Sequence, residues 1–157
     1  MSTTGRSGRG STQQGKCRII AGSWRGRIIK FGDAEGLRPT TDRIRETVFS
    51  WLQPYIVQSR CLDCFAGSGV LGFEALSRGA AEVVFIEQNK ITAGNLVANA
   101  RMLSADTATV VCSNAMEWLS SLPAESAAQK FDLVFLDPPF HTGMLEKSCA
   151  LLDDSGC

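Results

Sequence analysis

The chain has 157 residues, 44% hydrophobic and 20% charged, which suits one soluble domain large enough to bury a core. No apolar run approaches the roughly 18 residues needed to cross a bilayer, and the N-terminus lacks the apolar stretch of a secretory signal, so a cytoplasmic protein is expected. The formal net charge of zero hides an asymmetry: Met1 to Arg60 carries 11 Lys and Arg against 4 Asp and Glu, whereas Cys61 to Cys157 carries 5 against 12, and such segregation suggests a polyanionic partner for the basic half.

Residues 1–15, MSTTGRSGRGSTQQG, cannot bury enough surface to offset ordering entropy and read as a disordered basic tail. CRIIAG and WRGRIIKF read as two short strands around Gly22-Ser23, a candidate hairpin. A Gly- and charge-rich loop from Gly32 to Arg38 follows, and Pro39 steers Arg38 away from helix. Thr40 then caps a helix running through Leu52, with Asp42 complementing its dipole. Ile44, Val48, Trp51 and Leu52 fall at helical spacing, so that face is expected to pack inward and to leave Arg43, Arg45 and Glu46 outside it. Hairpin and helix, residues 16–58, make an N-terminal extension of a domain spanning 16–157.

From Cys61 the pattern alternates between strand and helix. CLDCF is a strand, Gly67-Ser68-Gly69 a tight turn, and Val70 to Arg78 a helix closed by Gly79. AEVVFIE is the next strand, and Asn89 can cap a helix reaching about Ala105. TATVVC is a third strand, followed by a short helix around Met116 to Leu119, a polar loop from Pro123 to Lys130, and FDLVFLD as a fourth strand. Met144 to Leu152 is amphipathic and helical. Nearly all-apolar strands separated by helices imply a parallel sheet covered on both faces, an α/β doubly wound, Rossmann-like core over residues 60–157.

Six cysteines are present. Cys61 and Cys64 form a CxxC, but residues three apart on a strand face opposite sides and cannot chelate one ion, so the cysteines are expected to be reduced, and no metal is expected. His141, the single histidine, carries no assigned function. Arg25, Arg27, Lys30, Arg38, Arg43 and Arg45 cluster near Trp24 and are candidate nucleic-acid contacts.

Three strand ends carry chemistry, because ligands of such sheets bind at the carboxyl ends of strands. After the first, Asp63-Cys64-Phe65-Ala66-Gly67-Ser68-Gly69 is a turn whose small residues let backbone amides approach a ligand. Gly67, Gly69 and Gly72 also satisfy GxGxxG, which keeps a dinucleotide-dependent oxidoreductase among the readings. After the second, Glu87 stands twenty residues beyond Gly67, where a carboxylate can accept both hydroxyls of a ribose. Asn114, after the third, either meets an adenine edge or caps the following helix. After the fourth, Asp137-Pro138-Pro139-Phe140 combines an anionic oxygen with backbone carbonyls that have no competing donor, since two prolines lack N–H groups. Such a pair can receive both hydrogens of a planar amine, and Phe140 offers a face on which a base can stack.

FAGSG, an acidic strand end and DPPF resemble the Rossmann-like amino-group methyltransferases that use S-adenosylmethionine. LRPTTDRIRETVFSWL (Leu37 to Leu52), CLDCFAGSGVLGFEALSRGA (Cys61 to Ala80) and the opening RIIAGSWRGRII narrow the likeness to the RsmD family of small-subunit ribosomal RNA guanine-N2 methyltransferases. The resemblance runs from about Cys17 to Asp154. It implies S-adenosylmethionine across Asp63, Phe65, Ala66, Gly67, Ser68 and Gly69, with Glu87 on its ribose and Asn114-Ala115 near the adenine. It implies a flipped guanine of 16S ribosomal RNA held by Asp137, Pro138 and Phe140, with Pro139 fixing the turn. The partner would be ribosomal RNA or the small ribosomal subunit, engaged by Arg25, Arg27, Arg38, Thr41, Arg43 and Arg45, and the protein is expected to be a monomer. Members of this fold carry further strands after the DPPF helix, so the last strands are expected to be missing here, with the fourth strand left as an open edge. DPPF alone also fits adenine N6 or a protein glutamine as the methylated amine, and an incomplete domain also fits a non-catalytic RNA-binding remnant.

Overall fold

The computed structural model describes residues 14–32, 41–123, 130–140 and 142–156. Of the expected tail, only Gln14 and Gly15 fall within it, and Gly15 is not tail: it opens β1 (Gly15–Arg18), which pairs antiparallel with β2 (Ile28–Phe31) in the register Gly15↔Phe31 to Arg18↔Ile28. Arg38, Pro39 and Thr40, most of the polar loop after Pro123, and His141 lie outside the described residues. No helix among the described residues is long and apolar enough to cross a membrane.

The hairpin forms, but its connection is longer than the two-residue turn read from the sequence. Regular strand pairing ends at Arg18 and Ile28; Ile19 still bonds across the hairpin to Arg27 and Gly26, and the backbone beyond it is recruited elsewhere. Glu74, on the helix α2 (Val70–Ser77), accepts from the Ile20 and Ala21 amides at 2.9 and 3.0 Å, while the Ser77 hydroxyl accepts from Trp24 N at 2.9 Å. The tip is thus docked onto α2, and β2 is held to a further helix, α3 (Lys90–Leu103), by two bonds between the Lys30 backbone and the Asn99 side chain.

The N-terminal helix α1 spans Asp42–Ile56, with Thr41 as its cap: the Thr41 hydroxyl accepts from Ile44 N. It therefore starts one residue later than Thr40 capping would set, and continues through Pro54, four residues past the expected end. Its inward face is also rotated. Arg45, Phe49 and Ile56 are buried, while Ile44 and Trp51 are 54% and 72% exposed. Phe49 packs at a tilt against Phe135, and burying each of Phe49 and Ile56 stabilises by roughly 1.5–3 kcal/mol.

The core alternates as expected. Strands β3 (Arg60–Asp63), β4 (Glu82–Glu87), β5 (Ala108–Cys112) and β6 (Leu133–Phe135) form one parallel sheet in the order β5-β4-β3-β6. Helices α1, α2 and α3 cover one face around Phe49, Phe73, Phe85, Leu96 and Leu103. The other face carries α4 (Ala115–Ser120) and α5 (Met144–Ser155), packed on Leu62, Ile86 and Leu119. Cys61 belongs to the first layer and Cys64 to the second, so the CxxC pair is split across the sheet. Both thiols are free and buried, and among the described residues no cluster could hold a metal. The first core strand, β3, lies between β4 and β6, so the order in which strands are added reverses there. Among the described residues β6 pairs with β3 only and is an edge.

Candidate active site

The reversal between β3 and β6 opens a crevice beyond the carboxyl ends of those strands, the place where doubly wound sheets bind ligands. A cavity of about 700 Å³ occupies it, within the usual range for small-molecule sites. Asp63, Phe65, Ala66, Gly67, Ser68, Glu87, Asn114 and Ala115 line it, and so do Asp137, Pro138, Pro139 and Phe140. The four segments singled out by chemistry, far apart in the chain, thus share one space.

The turn after β3 is shaped by close packing. Gly67 and Gly69 have positive φ, and Gly69 caps α2 without lining the cavity. Gly72 faces inward, where an added Cβ would lie 2.2 Å from the Phe85 ring; this third glycine lets α2 sit tight on β4. Glu87 ties the turn to the neighbouring helix: its Oε2 accepts from Gly67 N at 2.9 Å and its Oε1 from Asn89 N at 2.8 Å. Each oxygen retains a second acceptor direction, so the carboxylate can still receive a diol. Asn89 caps α3 through Ile91 N and Thr92 N. Asn114 caps α4 through Met116 N and Glu117 N, and its amide also donates to Gln88 Oε1 at 3.2 Å; the capping role is therefore filled, with the side chain still on the cavity wall.

Asp63 is 2% exposed, and its Oδ2 accepts from Gly72 N at 3.1 Å. Burial pushes its carboxyl up to about 7, with Asp137 and Glu87 adding to the rise and the Gly72 amide opposing it. Burial likewise pushes the Cys64 thiol up to about 12, so it stays neutral. At the far wall, the Thr142 hydroxyl donates to the Pro139 carbonyl at 2.8 Å, whereas the Pro138 carbonyl takes no hydrogen bond among the described residues. Asp137 is exposed, and Phe140, 88% exposed, stands at the cavity mouth.

These residues fit S-adenosylmethionine. A carboxylate with spare acceptor capacity lines the cavity beside the glycine turn, that turn admits close backbone approach, and three carboxylates with no Lys, Arg or His among the described lining suit a ligand bearing positive charge. Sequence reasoning missed part of the wall: Gln88, Thr92, Ser113, Met116 and Met144. Gln88 and Ser113 adjoin residues already singled out, a signal that neighbours of a strand-end residue also face the ligand. Met144 reaches the cavity through the geometry of a loop, which leaves no local signature.

Of the candidate nucleic-acid contacts, Arg25, Arg27 and Arg43 are exposed, and Thr41 is exposed while capping α1. Arg45 is not a surface residue. It is 0% exposed, paired with the fully buried Glu74 at 3.3 Å, and bonded to the Arg18 carbonyl at 2.9 Å. Its guanidinium is occupied by holding α1, β1 and α2 together, so the RNA-binding reading of Arg45 is corrected.

The family described as conserved hypothetical protein 95 matches residues 17–157. The chain is 51% identical over 142 residues to ribosomal RNA small subunit methyltransferase D of Escherichia coli, covering 90% of this chain and 69% of that protein. Its fold is similar to that of a putative methyltransferase, yhhF, from Escherichia coli, with a TM-score of 0.81 and 47% identity over 90% of this chain and 74% of the other. A more distant likeness, TM-score 0.58 and 25% identity over 83% of this chain and 34% of the other, is to the Thermus thermophilus 16S rRNA N2 G1207 methyltransferase in complex with AdoMet and guanosine.

Proposed function

The chain belongs to the conserved hypothetical protein 95 family, together with ribosomal RNA small subunit methyltransferase D, and on that footing we propose that it methylates the exocyclic N2 amine of a guanine in 16S ribosomal RNA with S-adenosylmethionine. The observation that carries this reading is the shared cavity: the Asp137-Pro138 acceptor pair opens onto the same space as the glycine turn and Glu87. The relatives' names support ribosomal RNA as the substrate, and the guanosine in the distant structural neighbour's complex supports guanine as the base.

When bound, S-adenosylmethionine supplies an electrophilic methyl group on a sulfonium. The protein's work is then mainly orientation, because an in-line displacement at carbon needs little acid-base assistance. Asp63, the turn from Phe65 to Gly69, Glu87 and the Asn114-Ala115 corner hold the donor. Asp137 and the Pro138 carbonyl accept the two amine hydrogens, which aims the nitrogen lone pair and stabilises the positive charge that develops on it. Phe140 stacks on the base, which must leave its own stack to enter. The amine loses one proton as the N–C bond forms and the S–C bond breaks, and solvent at exposed Asp137 can carry that proton away. Arg25, Arg27, Arg38, Thr41 and Arg43 contact the RNA. We further propose that the protein works in the cytoplasm as a monomer.

The test is methyl incorporation from labelled donor into unmodified small subunits, naked 16S RNA, DNA and protein, for wild type and Asp137→Ala. We expect incorporation into the ribosomal substrate alone, lost in the variant by roughly a hundredfold or more while donor binding survives. Near-normal turnover in Asp137→Ala would reject its role, and transfer to DNA or protein would redirect the substrate.

A further inference from the structure

We infer that Asp63 sets the cavity's preference for a positively charged ligand, and that it gives up its own proton when that charge arrives. The inference rests on the methyl-donor reading above and adds a specificity-determining exchange to it. Among the described lining residues, Asp63 is the one carboxylate withdrawn from water; Glu87 is half-buried and Asp137 exposed. Among the described residues a single donor serves it, the Gly72 amide to Oδ2, while its other oxygen accepts nothing. A buried carboxylate with a single hydrogen bond is poorly supported as an anion. The groups facing it make ionisation harder still: Asp137 after β6 and Glu87 after β4 are both acids, the neighbouring Cys64 is neutral, and no Lys, Arg or His stands among the described lining. In the free protein the carboxyl, pushed up to about 7, is therefore largely protonated at about pH 6.

A cation brought beside the open oxygen reverses that balance. The neutral acid ionises, its proton passes to the buffer, and the new anion pairs with the ligand's charge. Protein and ligand exchange one positive charge for another, so the cavity gains no uncompensated charge. The ligand's cation can be the sulfonium or the α-ammonium group, and the two are separable because S-adenosylhomocysteine keeps the ammonium and lacks the sulfonium.

The experiment is isothermal titration of the whole chain with S-adenosylmethionine at about pH 6, in two buffers of different ionisation enthalpy, with Kd followed up to about pH 7. We expect roughly one proton released per ligand, and affinity rising up to tenfold per pH unit across that window. Asp63→Asn should abolish the release and flatten the pH profile. Release with S-adenosylmethionine only assigns the exchange to the sulfonium; equal release with S-adenosylhomocysteine assigns it to the ammonium. Carboxyl-carbon NMR of the wild type supplies an independent reading, with the Asp63 titration moving to lower pH on ligand addition. Tight binding with no proton released and a flat profile overturns this inference and leaves the methyl-donor reading standing. Absence of S-adenosylmethionine binding at every pH overturns both.

Discussion

Glu87 and Asp63 both end strands on the same cavity, yet the structure gives them opposite burdens. Glu87 holds two backbone amides from two different segments, so Glu87→Ala should remove the proposed ribose contacts and loosen the turn together. Charge-assisted hydrogen bonds contribute about 1.5–3 kcal/mol each, which sets an expected loss of donor affinity of roughly tenfold to a hundredfold by titration calorimetry. An unchanged Kd would mean the ribose lies elsewhere. Asp63 instead carries a cost. Its folded carboxyl sits near 7 against an ordinary 3.8, so the native state binds the extra proton between those values and stability from this group falls as pH rises through about 7. Asp63→Asn keeps an acceptor for the Gly72 amide without the charge. We predict a variant more stable than wild type at about pH 8, by roughly a few kcal/mol and read as a higher Tm, with the gain shrinking as pH falls below about 7 and vanishing only toward the ordinary value of 3.8. Equal Tm values at the higher pH would contradict the burial argument. At this scale the sequence was readable where a strand end coincided with a residue of distinctive chemistry, as at Gly67, Glu87 and Asp137. It was silent on Met144 and on the Thr142 bond to Pro139, because neither position follows from a repeat of two or of 3.6.

The helix α1 shows where periodicity misleads. Two faces compete on it: Ile44, Val48 and Trp51 at helical spacing, and Arg45, Phe49 and Ile56 at the same spacing. Ending the helix at Leu52, before Pro54, hides Ile56 and tips the balance toward the wrong face. The deciding influence is Glu74, twenty-nine residues away, whose buried carboxylate draws Arg45 inward. Arg45→Met should therefore act on stability. Breaking a buried pair costs about 3–5 kcal/mol, to be read in thermal or urea unfolding; a loss of RNA affinity with no loss of stability would restore the surface reading. The hairpin tip makes the same point through backbone rather than charge. Gly22 has φ +85, and an added Cβ would lie 1.8 Å from the Ser77 carbonyl. Gly22→Ala is predicted to destabilise by about 2 kcal/mol or more, since left-handed backbone alone costs an alanine roughly 1–2 kcal/mol. A variant as stable as wild type would show that the tip is not docked on α2. The Rossmann-like core was largely legible, because its strands are mostly apolar and most boundaries are marked by Gly, Asn or Pro, the Ser104–Thr107 link between α3 and β5 excepted. The dock between hairpin and α2 was not, because its partners lie more than fifty residues apart.

The whole molecule joins a basic extension to an acidic core whose cavity lies at the turning point of its sheet. That division of charge suits the proposed partners: phosphate for the exposed arginines, a cationic donor for the carboxylate-lined cavity. Arg25→Ala combined with Arg43→Ala should weaken RNA binding and lower the salt slope by about 0.7–0.9 for each phosphate no longer neutralised, and an unchanged slope would place the RNA on another surface. The central claim is that the acceptor pair presents a guanine amine to the donor methyl. Its most direct measurement is nucleoside mass spectrometry of 16S RNA after reaction of unmodified small subunits with this protein and isotopically labelled donor. The account predicts a single labelled nucleoside, N2-methylguanosine, absent with Asp137→Ala; label on adenine N6, on ribose or on a ring carbon would contradict it.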